Sequence, residues 1–137
     1  MVGSVDRILN EMKMPRSVLV CGMTYKPNTE DMRDSPGFKV AVEFVGAEYD
    51  TAVYDPYLDI NMIDKYLKEN YIKQAGFVVA PELQGKFSCL CVCQHHAQII
   101  PKLERVYARG VFPLIYDCQG RLKYNSNVPT RLEWLGG

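Results

Sequence analysis

The sequence predicts an open, mainly parallel α/β sheet with helices on both faces, a three-layer αβα arrangement. Three observations carry that expectation. Ser17 to Met23 (SVLVCGM) and Phe87 to Cys93 (FSCLCVC) are short, almost wholly apolar runs, as strands buried on both faces require. Segments of helical period alternate with such runs along the chain, which is the pattern of parallel strands joined by crossover helices. The pair Ser35-Pro36 adds a helix start shortly after the first strand, with a capping hydroxyl followed by proline where its missing N–H costs nothing.

Residues 1–16 carry Val5, Ile8, Leu9 and Met12 at helical spacing, with Ser4 as a candidate cap and Pro15 as the stop. This segment reads as the end of a linker helix belonging to something upstream, which leaves 17–137 as the domain proper. The helix from Ser35-Pro36 buries Phe38, Val40, Ala41, Phe44 and Val45, and Gly46 is placed to end it. Thr51 to Tyr54 reads as the second strand, closed by Asp55-Pro56. From Asp59 to Tyr71 the pattern is helical, with Ile60, Ile63, Tyr66 and Leu67 on one side. Gln74 to Lys86 reads as a connection containing Gly76, Pro81 and Gly85. The strand Phe87 to Cys93 precedes a helix from Ala97 to Arg109, and Pro113 to Asp117 is a fourth strand. The tail from Leu122 reads as surface structure anchored by Trp134.

A chain of 137 residues suits one hydrophobic core. Sixteen basic residues balance sixteen acidic ones, so no broad positive field draws the protein to nucleic acid or an anionic membrane. No run of about 18 apolar residues marks a membrane span, and the charged N-terminal segment does not read as a signal peptide. The five cysteines, Cys21, Cys89, Cys91, Cys93 and Cys118, are odd in number and crowded. They do not form the spaced framework of a secreted domain, and a reducing cytosol is expected.

In open parallel sheets ligands bind at the carboxyl ends of the strands. The loop there, between the first strand and the Ser35-Pro36 helix, offers Lys26 and Arg33 together with hydroxyls, amides and the free N–H groups of a helix start. Phosphate is favoured by that helix end, by a lysine point charge and by an arginine fork. A plainer reading has Lys26 and Arg33 pairing with Glu30, Asp31 and Asp34 on a solvated loop. A dinucleotide fingerprint needs three glycines, G-x-G-x-x-G, of which Gly22 alone is present. Asp55 lies 33 positions beyond Gly22, where a ribose-binding acid would stand about 20 beyond. Asp55-Pro56 therefore reads as a turn and cap.

The ordered run Tyr25-Lys26-Pro27-Asn28-Thr29, then Asp31, Arg33, Ser35 and Pro36, with Val53-Tyr54-Asp55-Pro56 further on, resembles the C-terminal, UDP-binding domain of the UDP-glucose/GDP-mannose dehydrogenase family. The likeness spans about residues 17 to 120. It implies a Rossmann-like domain that closes over the nucleotide of a UDP-sugar, with Tyr25 and Lys26 against that nucleotide and Arg33 ordering the loop or meeting the phosphates. The KPNT form looks more like the UDP-sugar members than the GDP-mannose ones. Members of the family oxidise the sugar's primary alcohol to a carboxylate in two hydride transfers to NAD, through a cysteine-bound intermediate. By the same resemblance NAD belongs to a separate N-terminal domain and the nucleophilic cysteine to a central one, so this chain alone is expected to be inert and to hold no catalytic residue. The full enzyme is expected to be a homo-oligomer. The family's arginine two places after the strand-four aspartate is replaced here by Gln119, and Arg121 is the side chain that would reach the same space. An alternative reading is a non-catalytic interaction module whose nucleotide site has degraded.

Cys89, Cys91 and Cys93 alternate and so share one face of a strand. Zinc motifs place a turn between paired thiolates, whereas alternate residues of a strand are about 7 Å apart at the backbone. Core packing, with Leu90 and Val92 on the opposite face, is the expectation, and no metal. His95 and His96, just past the strand, are expected to cap it or face solvent rather than touch a ligand.

Overall fold

The computed structural model describes residues 1–24, 35–69, 78–83 and 85–134. Its elements are α1 (Val2–Met12), β1 (Ser17–Cys21), α2 (Pro36–Gly46), β2 (Asp50–Tyr54), α3 (Ile60–Glu69), β3 (Val78–Val79), β4 (Cys89–Val92), α4 (Ile100–Ala108), β5 (Leu114–Asp117) and β6 (Arg131–Trp134). The six strands form one sheet in the order β3-β2-β1-β4-β5-β6, and all five pairings are parallel. This is the doubly wound order of a Rossmann-like fold, with its topological switch point between β1 and β4.

Alternation along each strand assigns the two faces. Val18, Val20, Cys89, Cys91 and Cys93 pack against Val5, Ile8 and Leu9 of α1, Phe38, Ala41 and Phe44 of α2 and Ile63 of α3. Leu19, Cys21, Leu90, Val92 and Ile115 pack against Leu103, Val106 and Tyr107 of α4. The expected three layers follow. α1 lays its apolar side into the first of these clusters, so the buried face read from residues 5, 8 and 9 has its partner within this chain. Ser35 caps α2 by accepting the Phe38 N–H, with Pro36 in the first turn, as its sequence predicts.

Two strands depart from the sequence expectation. Val78–Val79 lies in the stretch read as a connection, and it pairs with Ala52 and Val53 of β2. Arg131–Trp134 lies in the tail read as surface structure, and it pairs along β5 with Leu132 as its buried residue. Both are edge strands, short and half-exposed; β6 mixes charged with apolar residues, whereas the two valines of β3 sit in a short apolar stretch that the sequence expectation assigns to the connection. Trp134 does anchor its surroundings: its ring lies against the turn at Gly120.

The helix ends also differ in one detail. α1 and α2 both close with a left-handed residue and the paired hydrogen bonds of a Schellman motif. Met14 N–H reaches Leu9 C=O and Lys13 N–H reaches Asn10 C=O; Tyr49 N–H reaches Phe44 C=O and Glu48 N–H reaches Val45 C=O. The left-handed positions are Lys13 (φ 57°) and Glu48 (φ 65°), not Gly46, which ends α2 within the helix.

Candidate functional site

The carboxyl ends of β1, β2, β4 and β5 form a crest built by two buried carboxylates. Asp55, directly after β2, accepts the Met23 N–H at 2.7 Å and the Tyr57 N–H at 2.8 Å. Its Oδ2 also meets His96 Nε2 at 2.8 Å, so an ionised Asp55 assigns the ring proton to Nε2. Thr24 Oγ1 lies 3.4 Å from the same nitrogen, and the Tyr57 ring packs against the imidazole at 4.7 Å. Asp55 thus ties the roots of three loops together.

Asp117 does the same at the end of β5. His95 Nε2 stands 2.7 Å from its Oδ1, and the backbone N–H groups of Gln119, Arg121 and Leu122 donate at 3.1, 2.7 and 2.8 Å. Burial would raise the Asp117 carboxyl, but the hydrogen bonds from His95 and from the Leu122 and Gln119 backbone outweigh it and hold the group below its ordinary value. Both histidines are buried, at 3% and 0% exposure. The solvent-facing alternative for His95 and His96 is therefore corrected: each is an internal strut paired to a carboxylate. A turn and cap at Asp55 is what the structure shows, with the His96 contact added.

The switch point is tight. A Cβ on Gly22 (φ 94°) would overlap the backbone N of Gln94, and a Cβ on Gly37 would overlap the carbonyl O of Gly22. The first turn of α2 is thereby seated on the end of β1, which places the helix N-terminus, the positive end of its dipole, beside the crest. The same closeness fills the space over Gly22 with Gln94. Beside the crest, at the ends of β2 and β3, runs a groove of about 510 Å³ with Tyr54, Asp55, Pro56, Gln98 and Lys102 among its walls.

The profile of the UDP-glucose/GDP-mannose dehydrogenase family, UDP binding domain, matches residues 19–124. The chain belongs to this family. The solved structures that it resembles include the UDP-N-acetyl-mannosamine dehydrogenase Cap5O from S. aureus, with a TM-score of 0.65, 17% identity and coverage of 98% of this chain and 30% of that one. A UDP-glucose dehydrogenase from the archaeon Pyrobaculum islandicum gives 0.65 and 21%, covering 95% and 28%. A GDP-mannose dehydrogenase from Pseudomonas aeruginosa gives 0.69 and 14%, covering 98% and 31%. These likenesses establish the fold, which UDP-sugar and GDP-sugar enzymes share. The chain spans about 30% of the length of such dehydrogenases. No curated protein matches it by sequence.

Within this UDP binding domain, Tyr25, Lys26 and Arg33 lie outside the described residues, between Thr24 and Ser35, whose positions at the crest fix where the loop leaves and returns. Arg121 is described and exposed. It lines a groove with Glu104, Tyr107, Lys123 and Asn125 on the α4 side of the sheet, and the Asp55–His96 pair takes no part in those walls. Gln119, at the place where the resemblance implies an arginine, is exposed and donates its amide to Gln94 Oε1 at 3.0 Å and to Cys93 C=O at 3.3 Å. Sequence reasoning passed over Asp117 and Gln94. An aspartate at a strand's carboxyl end facing a His-His pair at another is the signal that could have found the first.

Proposed function

We propose that this domain holds the nucleotide of a UDP-sugar for an NAD-dependent dehydrogenase that oxidises the sugar's primary alcohol to the uronate. The observation that supports it is the seating of the α2 N-terminus on the end of β1, at the switch point. The Thr24-to-Ser35 loop carrying Tyr25, Lys26 and Arg33 begins and ends there. Tyr25 packs on the nucleotide, while Lys26 and Arg33 meet the diphosphate beside the helix end. Arg121, whose groove lies on the α4 side, is left outside this site. The hydride acceptor NAD and the nucleophilic cysteine belong to an N-terminal and a central domain of a longer, homo-oligomeric, cytoplasmic enzyme, and this chain alone carries no turnover.

Isothermal calorimetry with UDP, GDP and NAD tests the reading. Saturable UDP binding is expected, with little heat from GDP or NAD. Lys26→Ala and Arg33→Ala should each weaken UDP about 10-fold or more, the worth of one charged hydrogen bond. UDP binding that both variants leave untouched removes the site assignment, and NAD binding removes the division of labour.

One observation favours a second reading, a non-catalytic interaction module. The amide nitrogen of Gln119 is engaged with Gln94 and Cys93 at the place where the resemblance implies a phosphate-binding arginine. A folded chain that never binds UDP would support that module.

A further inference from the structure

We propose that Cys91, Cys93 and Cys118, with the thioether of Met1, form a binding site for a thiophilic metal ion, Cu(I). Along β4 alone, backbone spacing keeps alternate cysteines from sharing one ion. The fold changes that geometry by bringing a thiol from another strand. Cys118 follows β5, and its N–H donates to Val92 C=O at 2.9 Å, which carries its side chain over the face of β4 that Cys91 and Cys93 share. Its Sγ lies 3.8 Å from that of Cys91 and 3.9 Å from that of Cys93. The three sulfurs all fall within 4.8 Å of one another. Met1 Sδ closes the set at 3.4 Å from Cys91 Sγ and 3.9 Å from Cys118 Sγ.

Metal–sulfur bonds of about 2.3 Å require donor sulfurs roughly 3.8–4.0 Å apart in tetrahedral or trigonal geometry. The two Cys118 distances fall on that separation, and Cys91 and Cys93, within 4.8 Å of each other, close by up to about 1 Å to complete the cage. The donors select the ion. Zinc takes thiolate, imidazole and carboxylate, whereas a set of thiolates with a thioether and neither nitrogen nor oxygen suits Cu(I). Access comes from Cys118, the one cysteine of the five that is not buried. Each thiol that coordinates gives its proton to solvent, and the ion keeps its oxidation state. The cluster lies on the α1 and α2 face of the sheet, apart from the Asp55–His96 crest.

The test is anaerobic titration of the reduced chain with Cu(I) against a bicinchoninate competitor, with X-ray absorption at the copper edge and a parallel Zn²⁺ titration. One equivalent of Cu(I) should be held, with at least three sulfur neighbours at about 2.2–2.3 Å. Cys118→Ser should weaken it at least 10-fold, while Cys21→Ser, outside the cluster, should leave it unchanged. Copper that the competitor strips completely, or a first shell of nitrogen and oxygen, overturns the site. So does equal loss in Cys118→Ser and Cys21→Ser. Zn²⁺ that displaces Cu(I) overturns the choice of ion. Should Cys118→Ser fail to fold, the sulfur count on the unaltered chain decides alone.

Discussion

His96 Nε2 lies 2.8 Å from Asp55 Oδ2, and that same oxygen accepts the Met23 N–H at 2.7 Å. One buried carboxylate therefore fixes the end of β2, the loop after β4 and the root of the loop that leaves β1. Asp55→Ala would take this carboxylate from the imidazole and from two backbone N–H groups, and we expect a loss of about 3–5 kcal/mol in urea unfolding. A loss under about 1 kcal/mol would show that water replaces the carboxylate and that the crest does not depend on it.

Acid should loosen the corner held by Asp117. The folded Asp117 carboxyl ionises below its ordinary value, and about 3.9 is usual for an unfolded aspartate. Its contribution is thus complete above roughly pH 4 and disappears as pH falls through the folded value. Asp117→Asn, whose amide does not ionise, should flatten that part of the stability–pH curve. Parallel curves for the two proteins between pH 5 and pH 2, measured by thermal melting, would remove Asp117 from the account.

Two glycines of α2 should respond in opposite directions. Gly37 faces the Gly22 carbonyl with no room for a methyl, whereas Gly46 has open space around its Cα. Gly37→Ala should cost about 2–3 kcal/mol through displacement of the helix from the strand end, and weaken UDP with it. Gly46→Ala should gain about 0.5–1 kcal/mol, the helical advantage of alanine. Equal effects of the two changes would mean that α2 is not seated as described.

Glu48 is exposed and left-handed at φ 65°, a conformation that costs a residue with a Cβ about 1–2 kcal/mol. Glu48→Gly should add about 1 kcal/mol to the unfolding free energy, read as a higher denaturation midpoint with the slope unchanged. A fall in the midpoint would show that the flexibility gained by the unfolded chain outweighs the relieved strain.

The crest was partly legible in the sequence. Ser35-Pro36 announces its helix because a cap and a first-turn proline are local signals, and Gly22 stands where the first strand must end. The partners of Asp55 were not legible. Met23 and His96 are 32 and 41 residues away, and nothing in the local pattern of either end distinguishes a buried imidazole from an exposed one.

The sequence by itself determined the central strands, the long helices, the two faces of Phe87-to-Cys93 and the family, through apolar periodicity, caps and an ordered motif. These are properties of neighbours along the chain. The tertiary structure decided β3 and β6, which are short and become strands by pairing with β2 and β5. It also decided the burial of His95 and His96 and the approach of Cys118 to Cys91 and Cys93. Each of those depends on which strands lie side by side and in what register, and strand order is set by the packing of the whole sheet rather than by any segment within it.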